Sequence, residues 1–234
     1  MSLPLEDNAS DIIGKAQRGL KLPGETAPVK LGLNARALRE LAHWHPVERN
    51  LTGLVMFTTP YGDMTVNSYV VFDLQTKEAA AFDTGADCSE MLTHRIGQIF
   101  LTHIHGDHVM ELDRLKEKTG ARAFVSERDP MEGAEPFADG AEFRIGNLKV
   151  ETRRTSGHAR GGVTYVITGL AERLAIVGDA IFAGSMGGGL VDYREALRTN
   201  RENILSLPDD TVICPGHGPL TTVGEEKSHN PFFA

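Results

Sequence analysis

Residues 101–109 read LTHIHGDHV and place His103, His105, Asp107 and His108 within six positions. The preceding QIFLTH reads as a buried strand. In an extended backbone residues two apart face the same way, so the imidazoles of His103 and His105 converge on one point. Asp107 and His108 follow where the chain turns into a helix, and adjacent helical residues diverge. One small cation can hardly gather all four side chains, whereas two neighbouring cations can divide them. The block therefore demands a fold that brings further ligands to the end of this strand.

Imidazole and carboxylate suit borderline divalent metals. The chain has nine histidines, so the candidates are few. His158 sits in TSGHARGG, His217 in CPGHGP and Asp179 in IVGDAIF. Each lies where a strand meets a loop, and small neighbours let the backbone approach closely. Asp179, with two oxygens, can bridge two metals. His43, His45, His94 and His229 read as surface residues. Cys88 and Cys214, outside any CxxC pair, read as small buried hydrophobes in a reduced compartment.

A chain of 234 residues can build one sizeable core. Residues 1–50 differ in texture from the rest. Ile12, Ile13, Ala16 and Leu20 share one helical face. After Asn34, helical spacing returns at Ala37, Leu38, Leu41, Ala42 and His45. The reading is an N-terminal helical extension over 1–50 and a main domain over 51–234. From Leu51 onward short β-type runs dominate, with one helix over DHVMELDRLKEKTG stopped by Gly120 and another over DYREALRTNRENILSL stopped by Pro208. The glycines of SMGGGL are expected to make a mobile loop near the site. The net charge of −8 makes a general nucleic-acid binder a poor fit. No apolar run is long enough to cross a bilayer, and MSLPLEDNASD has no secretory-signal pattern, so the expectation is a cytoplasmic protein without a membrane or nucleic-acid partner.

The motifs DTG (83–85), THIHGDH (102–108), SGH (156–158), GDAIF (178–182) and PGHG (215–218) together resemble the metallo-β-lactamase superfamily, in its order and over residues 51–234. The resemblance implies an α/β fold (α+β in some schemes): a four-layer αβ/βα sandwich of two mixed β-sheets with helices outside. It implies one metal on His103, His105 and His158, a second on Asp107, His108 and His217, Asp179 bridging them, and Asp83 orienting the ligands from behind. True β-lactamases of the commonest type carry Cys where this chain has Asp179. Lactonases often carry Tyr where it has Phe182. The segment GDAIFAGS and the tail VGEEKSHNPFFA are most similar to glyoxalase II-like hydrolases, although the lysine those enzymes use for glutathione is missing from SMGGGLVDY.

The expected activity is hydrolysis of a small-molecule thioester or ester by a hydroxide bridging two divalent metal ions, zinc first, with iron or manganese as alternatives. Asp107 or Asp179 relays the proton. Arg160, beside His158, and Tyr193 are candidates for substrate binding. Alternative readings are a mononuclear iron persulfide dioxygenase, a lactonase or β-lactamase-like hydrolase, and a regulator whose N-terminal helices bind DNA. Oligomeric state is silent in the sequence, with a homodimer the assembly to consider.

Overall fold

The structure, a computed structural model, describes residues 32–234, so the expected helix on Ile12, Ile13, Ala16 and Leu20 lies outside the described residues. One sheet runs in the order β1 (Leu54–Tyr61), β2 (Met64–Phe72), β3 (Ala79–Phe82), β4 (Ile96–Phe100), β5 (Arg122–Ser126) and β6 (Glu135–Phe137). Its first three strands are antiparallel and the pairs from β3 to β6 are parallel. The next strands are β7 (Glu142–Ile145), β8 (Leu148–Arg154), β9 (Val163–Thr168) and β10 (Leu174–Gly178), then a small hairpin of β11 (Ile181–Phe182) and β12 (Ser185–Met186), then β13 (Val212–Pro215) and β14 (Thr221–Thr222). The second sheet is ordered β14-β13-β10-β9-β8-β7, with only β10 and β13 parallel. Both sheets are therefore mixed, as expected.

The two-residue period of the strands builds the layers. Tyr69, Val71, Ala80, Phe82, Leu174 and Ile176 point between the sheets into the central core, with Phe100 and Tyr165. Their neighbours Val70 and Ala81 face outward, under Leu112 and Leu115. Ala175 and Val177 face the other way, under Ile204, Leu205 and Val223. Phe82, Phe100 and Tyr165 pack ring to ring across the core at centroid separations of 5.2–5.4 Å, the two phenylalanines stacked and Phe82 edge-on to Tyr165. Two buried tyrosines cross from one sheet to the other: the Tyr165 hydroxyl donates to the Leu101 carbonyl (2.7 Å) and the Tyr69 hydroxyl to the Pro215 carbonyl (2.6 Å). Leu101 and Pro215 each lie two residues before a site histidine, so these bonds clamp the sheet ends that carry the site.

Helices cover the outer faces. The expected helix after Asn34 is α1 (Ala35–Glu40), whose N-cap Asn34 side chain accepts from the Arg36 and Ala37 amides. It continues as a 3-10 turn, Leu41–His43. Leu33, Leu38 and Leu41 pack on Met186, Ala196 and Phe232, which seats this segment on the main body.

The single helix expected after the histidine block is two pieces, α2 (Gly106–Val109) and α3 (Leu112–Thr119). Thr84 makes the break. Its amide donates to the His108 carbonyl (2.8 Å), and its hydroxyl oxygen accepts from the Glu111 amide (3.1 Å). Gly120, at φ 69°, stops α3 as expected. The helix over 192–207 is α4 (Tyr193–Asn203), ending before Pro208. The last helix is α5 (Val223–His229). No helix among the described residues is long and apolar enough to cross a membrane.

Cys88 and Cys214 are buried free thiols. His43 and His45 are exposed, whereas His94 packs on Phe72 and His229 stacks on Trp44 with ring centroids 5.0 Å apart. The latter two are packing residues, because their rings fill apolar contacts that surface histidines lack.

Two stability measurements follow from this architecture. Tyr165→Phe leaves the buried Leu101 carbonyl without its donor and is expected to lower the unfolding free energy by about 1–3 kcal/mol in urea titration at unchanged m-value. A change near zero would show that the clamp is not needed.

The second concerns Glu226, a fully buried residue whose carboxylate accepts from Thr221 Oγ1, Asn230 Nδ2 and the Gly184 amide. Burial outweighs these donors and pushes its pKa from 4.5 up to about 7. The folded state thus keeps a proton that the unfolded chain releases, and stability falls as pH rises from the ordinary carboxylate range through 7. Glu226→Gln carries no such charge. It is expected to gain on the parent by on the order of 2–3 kcal/mol between pH 5 and 8, and a pH-independent difference would contradict this.

Candidate metal centre

Every site residue stands just beyond a strand, on one edge of the sandwich. His103, His105, Asp107 and His108 follow β4, Asp83 follows β3, His158 lies in the β8–β9 connection, Asp179 follows β10 and His217 follows β13. Potential ligand atoms of His103, His105 and His158 lie within 4.8 Å of one another, and so do those of Asp107, His108 and His217. A third such group, His103, His108 and Asp179, overlaps both. Asp179 Oδ2 is 3.4 Å from both His158 Nε2 and His217 Nε2, while its Oδ1 is 3.2 Å from His108 Nε2. The structure thus brings all seven expected ligands together, with the Asp179 carboxylate between the two triads.

Hydrogen bonds on the far sides of the rings set the tautomers. His108 Nδ1–H donates to Asp83 Oδ2 (2.7 Å), His158 Nδ1–H to the Gly188 carbonyl (2.8 Å) and His217 Nδ1–H to the Thr65 carbonyl (2.5 Å). The Thr102 hydroxyl donates to Asp83 Oδ2, so its oxygen accepts from His103 Nδ1–H at 3.0 Å. With Nδ1 donating outward, it is the Nε2 of each of these four rings that faces inward, the atom a metal ion would take in place of any proton there. His105 differs, since its Nδ1 faces inward, 3.0 Å from His158 Nε2.

The chemistry of this donor set fits metal ions. His103 Nε2, His108 Nε2 and Asp179 Oδ1 are buried and have no hydrogen-bond partner. Buried polar atoms are rarely left unpaired, and three that face one another point to a common ligand. Asp83, Asp107 and Asp179 also concentrate negative charge where water is scarce, which calls for a positive counter-charge. Protonation reflects the same demand. Burial alone would disfavour charge on His108, Asp179 and His217. The Asp83 and Asp179 carboxylates nevertheless raise His108 well above the usual imidazole range, and bonding to Asp107 and Asp179 pushes His217 up to about 10. His108 and His217 hold Asp179 well below the carboxylate range. Asp107 is lowered against its own burial, chiefly by His217. Burial, followed by the neighbouring imidazoles His108 and His158 respectively, lowers His103 and His105.

Glycines make the close packing possible. A Cβ on Gly216 would lie 2.3 Å from Asp179 Oδ1 and 2.7 Å from His108 Cε1. One on Gly187 would lie 1.9 Å from the Asp179 carbonyl oxygen. The SMGGGL loop is near the site as expected, but Gly187 and Gly189 are there for close approach. Gly187 abuts Asp179, the Gly188 carbonyl holds His158, and a Cβ on Gly189 would meet Tyr193 at 2.3 Å.

Asp83 stands behind the ligands, accepting from the Thr102 amide and hydroxyl and from His108. Arg160 is exposed on the turn that carries His158. Tyr193 packs in the cluster with Leu33, Leu38 and Leu41, outside the grouped ligand atoms. Sequence reasoning missed Thr102, the Thr65 and Gly188 carbonyls, and Tyr61, whose hydroxyl would be 3.0 Å from a Cβ on Gly106. Thr102 was within reach, being adjacent to His103. The carbonyls carry no residue-type signal.

Comparison with known proteins agrees with this geometry. The chain is 30% identical over 212 residues to the probable metallo-hydrolase YqgX of Bacillus subtilis, covering 74% of this chain and 95% of that protein. It is 29% identical over 199 residues to the hydroxyacylglutathione hydrolase GloC of Haemophilus influenzae, covering 71% and 92%. The crystal structure of the BLEG-1 B3 metallo-beta-lactamase superposes with a TM-score of 0.66 at 27% identity, covering 77% of this chain and all of that one. The family model described as metallo-beta-lactamase superfamily matches residues 61–217, spanning the histidine block, Asp179 and His217, and the chain belongs to that superfamily.

Proposed function

We propose that this protein is a binuclear metal-dependent hydrolase of thioesters or esters, of the glyoxalase II-like branch, with residues 51–234 as its catalytic domain. The observation that carries the reading is the pair of ligand triads with Asp179 within 3.4 Å of members of both. The likeness to GloC supports the thioester assignment. One ion would be held by His103, His105 and His158 and the other by Asp107, His108 and His217, with Asp179 shared. When bound, such ions lower the pKa of water to about 7 and polarise a carbonyl.

The chain supplies the rest. Water adds its oxygen to the acyl carbon, the C–S or C–O bond breaks, and one water proton ends on the leaving sulfur or oxygen. Asp107, partly buried beside His217, is the carboxylate placed to carry that proton, with Asp179 as the deeper partner. Asp83 holds His108 and Thr102, and through Thr102 it holds His103. No side-chain nucleophile is needed.

Elemental analysis of protein purified without added metal is expected to find about two zinc, manganese or iron ions per chain. A single iron with the second triad empty, together with oxygen uptake on a persulfide, would favour a dioxygenase. On a panel of thioesters, esters, lactones and a β-lactam, His103→Ala and Asp179→Asn are expected to abolish turnover while circular dichroism stays native. Full activity in both would end this mechanism. Asp83→Asn is expected to weaken metal affinity about 10–100-fold with the fold retained, read by chelator competition.

A further inference from the structure

Large hydrophobic side chains scattered singly on a surface need no explanation, but a group of them around a cleft does. Among the described residues, eight large hydrophobics are exposed, and five of these sit on segments bonded to or continuous with the metal centre: Tyr61, Met64, Met110, Leu190 and Val191. Met64 is 53% exposed, Met110 61%, Leu190 58% and Val191 50%. Tyr61 and Met64 lie at the tip of the β1–β2 hairpin, where the Thr65 carbonyl accepts from His217 and the Tyr61 hydroxyl approaches Gly106. Met110 follows His108 by two residues. Leu190 and Val191 continue the loop whose Gly188 carbonyl holds His158, and the Val191 amide donates to the Gly157 carbonyl. Apolar side chains are thus exposed on three separate segments that carry or hold site residues, and Met64 lies directly beside His217.

A cavity of about 530 Å³ opens beside His217, lined by Gly62, Asp63, Met64, Thr65, His217 and Gly218. Phe182 closes on the same histidine, its ring edge-on at 5.6 Å. The lining contains no lysine or arginine, and its one acidic side chain, Asp63, repels anions. A charged, glutathione-like arm finds no cationic partner in this cavity, whereas a hydrocarbon chain finds Met64 in the lining and Phe182 against the His217 ring.

We infer that the substrate carries an unbranched aliphatic chain that lies on this apolar mouth, so that the enzyme prefers medium-chain over short-chain acyl thioesters or esters. The inference rests on the hydrolase reading above and names the substrate class for the same site. An ester or thioester presents its carbonyl to the ligand triads, and its longer arm must leave through the mouth. Each methylene covered there adds binding that the acetyl analogue lacks, equivalent to up to about a fourfold gain in kcat/KM.

The test uses metal-replete, full-length enzyme and two substrate series. One varies the acyl group from acetyl through butyryl and hexanoyl to octanoyl, and the other varies the alkyl leaving group over the same lengths. A rising slope of log kcat/KM against chain length in either series is expected, flattened in Met64→Ser and Leu190→Ser. Both substitutions are at exposed positions, and native thermal unfolding of the variants checks the fold. Calorimetric titration with alkyl methyl thioethers provides a readout independent of turnover, with octyl expected to bind more tightly than butyl and the preference lost in the variants. A flat slope in both series with equal thioether affinities would overturn the inference while leaving the hydrolase reading intact. Absence of turnover on every ester and thioester would overturn the hydrolase reading, and the thioether titration would still judge the mouth. Sedimentation showing a dimer that Met64→Ser disperses, with flat slopes, would assign these side chains to a second copy of the chain and overturn the inference.

Discussion

The Asp83 carboxylate is the constraint on which the centre depends. It follows β3 with φ at +56°, an uncommon backbone for a residue with a side chain and one that costs on the order of 1 kcal/mol or more. That turn lets one oxygen accept from the Thr102 amide and the other from both the Thr102 hydroxyl and His108 Nδ1–H. A single buried anion thereby ties the end of β3 to the end of β4, sets the His108 ring and, through the Thr102 oxygen, sets His103. Among the described residues, the two rings whose buried Nε2 atoms lack a hydrogen-bond partner are the two that Asp83 controls. Rigid ligands need such support, because a ring free to rotate would turn toward a protein donor or acceptor and leave the metal site.

The fold carries this precision across its middle. Ligands from the first sheet and the β8–β9, β10 and β13 ends of the second meet only if the two sheets keep their spacing. Tyr165 and Tyr69 do this from opposite directions, each with a buried ring in the aromatic core and a hydroxyl on a backbone carbonyl beneath the site. Thr84 adds a local adjustment. By drawing the His108 carbonyl out of the helical ladder it separates α2 from α3, so the four-residue turn that carries Asp107 and His108 is oriented independently of the longer helix.

Much of this was legible in the chain. His103 and His105 share a face because of the two-residue strand period, and Asp179, His158 and His217 were marked by strand ends and small neighbours. The two mixed sheets were implied by the family resemblance that the motifs carry. What was not legible depends on backbone atoms or on distant partners. The Thr65 and Gly188 carbonyls that fix His217 and His158 come from a hairpin and a loop 152 and 30 residues away, and any residue type could supply them. The helix break was hidden because its cause, Thr84, lies 24 residues before His108. The glycine run was read as freedom, yet Gly187 and Gly189 are compelled by contact with Asp179 and Tyr193. Local composition cannot distinguish a glycine chosen for flexibility from one chosen for space.

The glycine contacts also explain how the polar centre and its apolar surroundings can coexist within a few ångströms. Gly187 and Gly216 bring backbone directly against Asp179, so the carboxylate is enclosed by peptide groups and imidazoles and excluded from bulk water. Beyond Gly188 the loop continues to the exposed Leu190 and Val191, and next to Thr65, which bonds His217, the hairpin exposes Met64. The same chain segments therefore use their backbone carbonyls to orient the histidines and their apolar side chains to shape the approach. His217 and His158 are each held by a backbone carbonyl of a segment that also exposes apolar side chains, the hairpin with Met64 and the loop with Leu190 and Val191. The Thr65 and Gly188 carbonyls belong to the backbone, so the orientation they give these two rings does not depend on the side chains at either position.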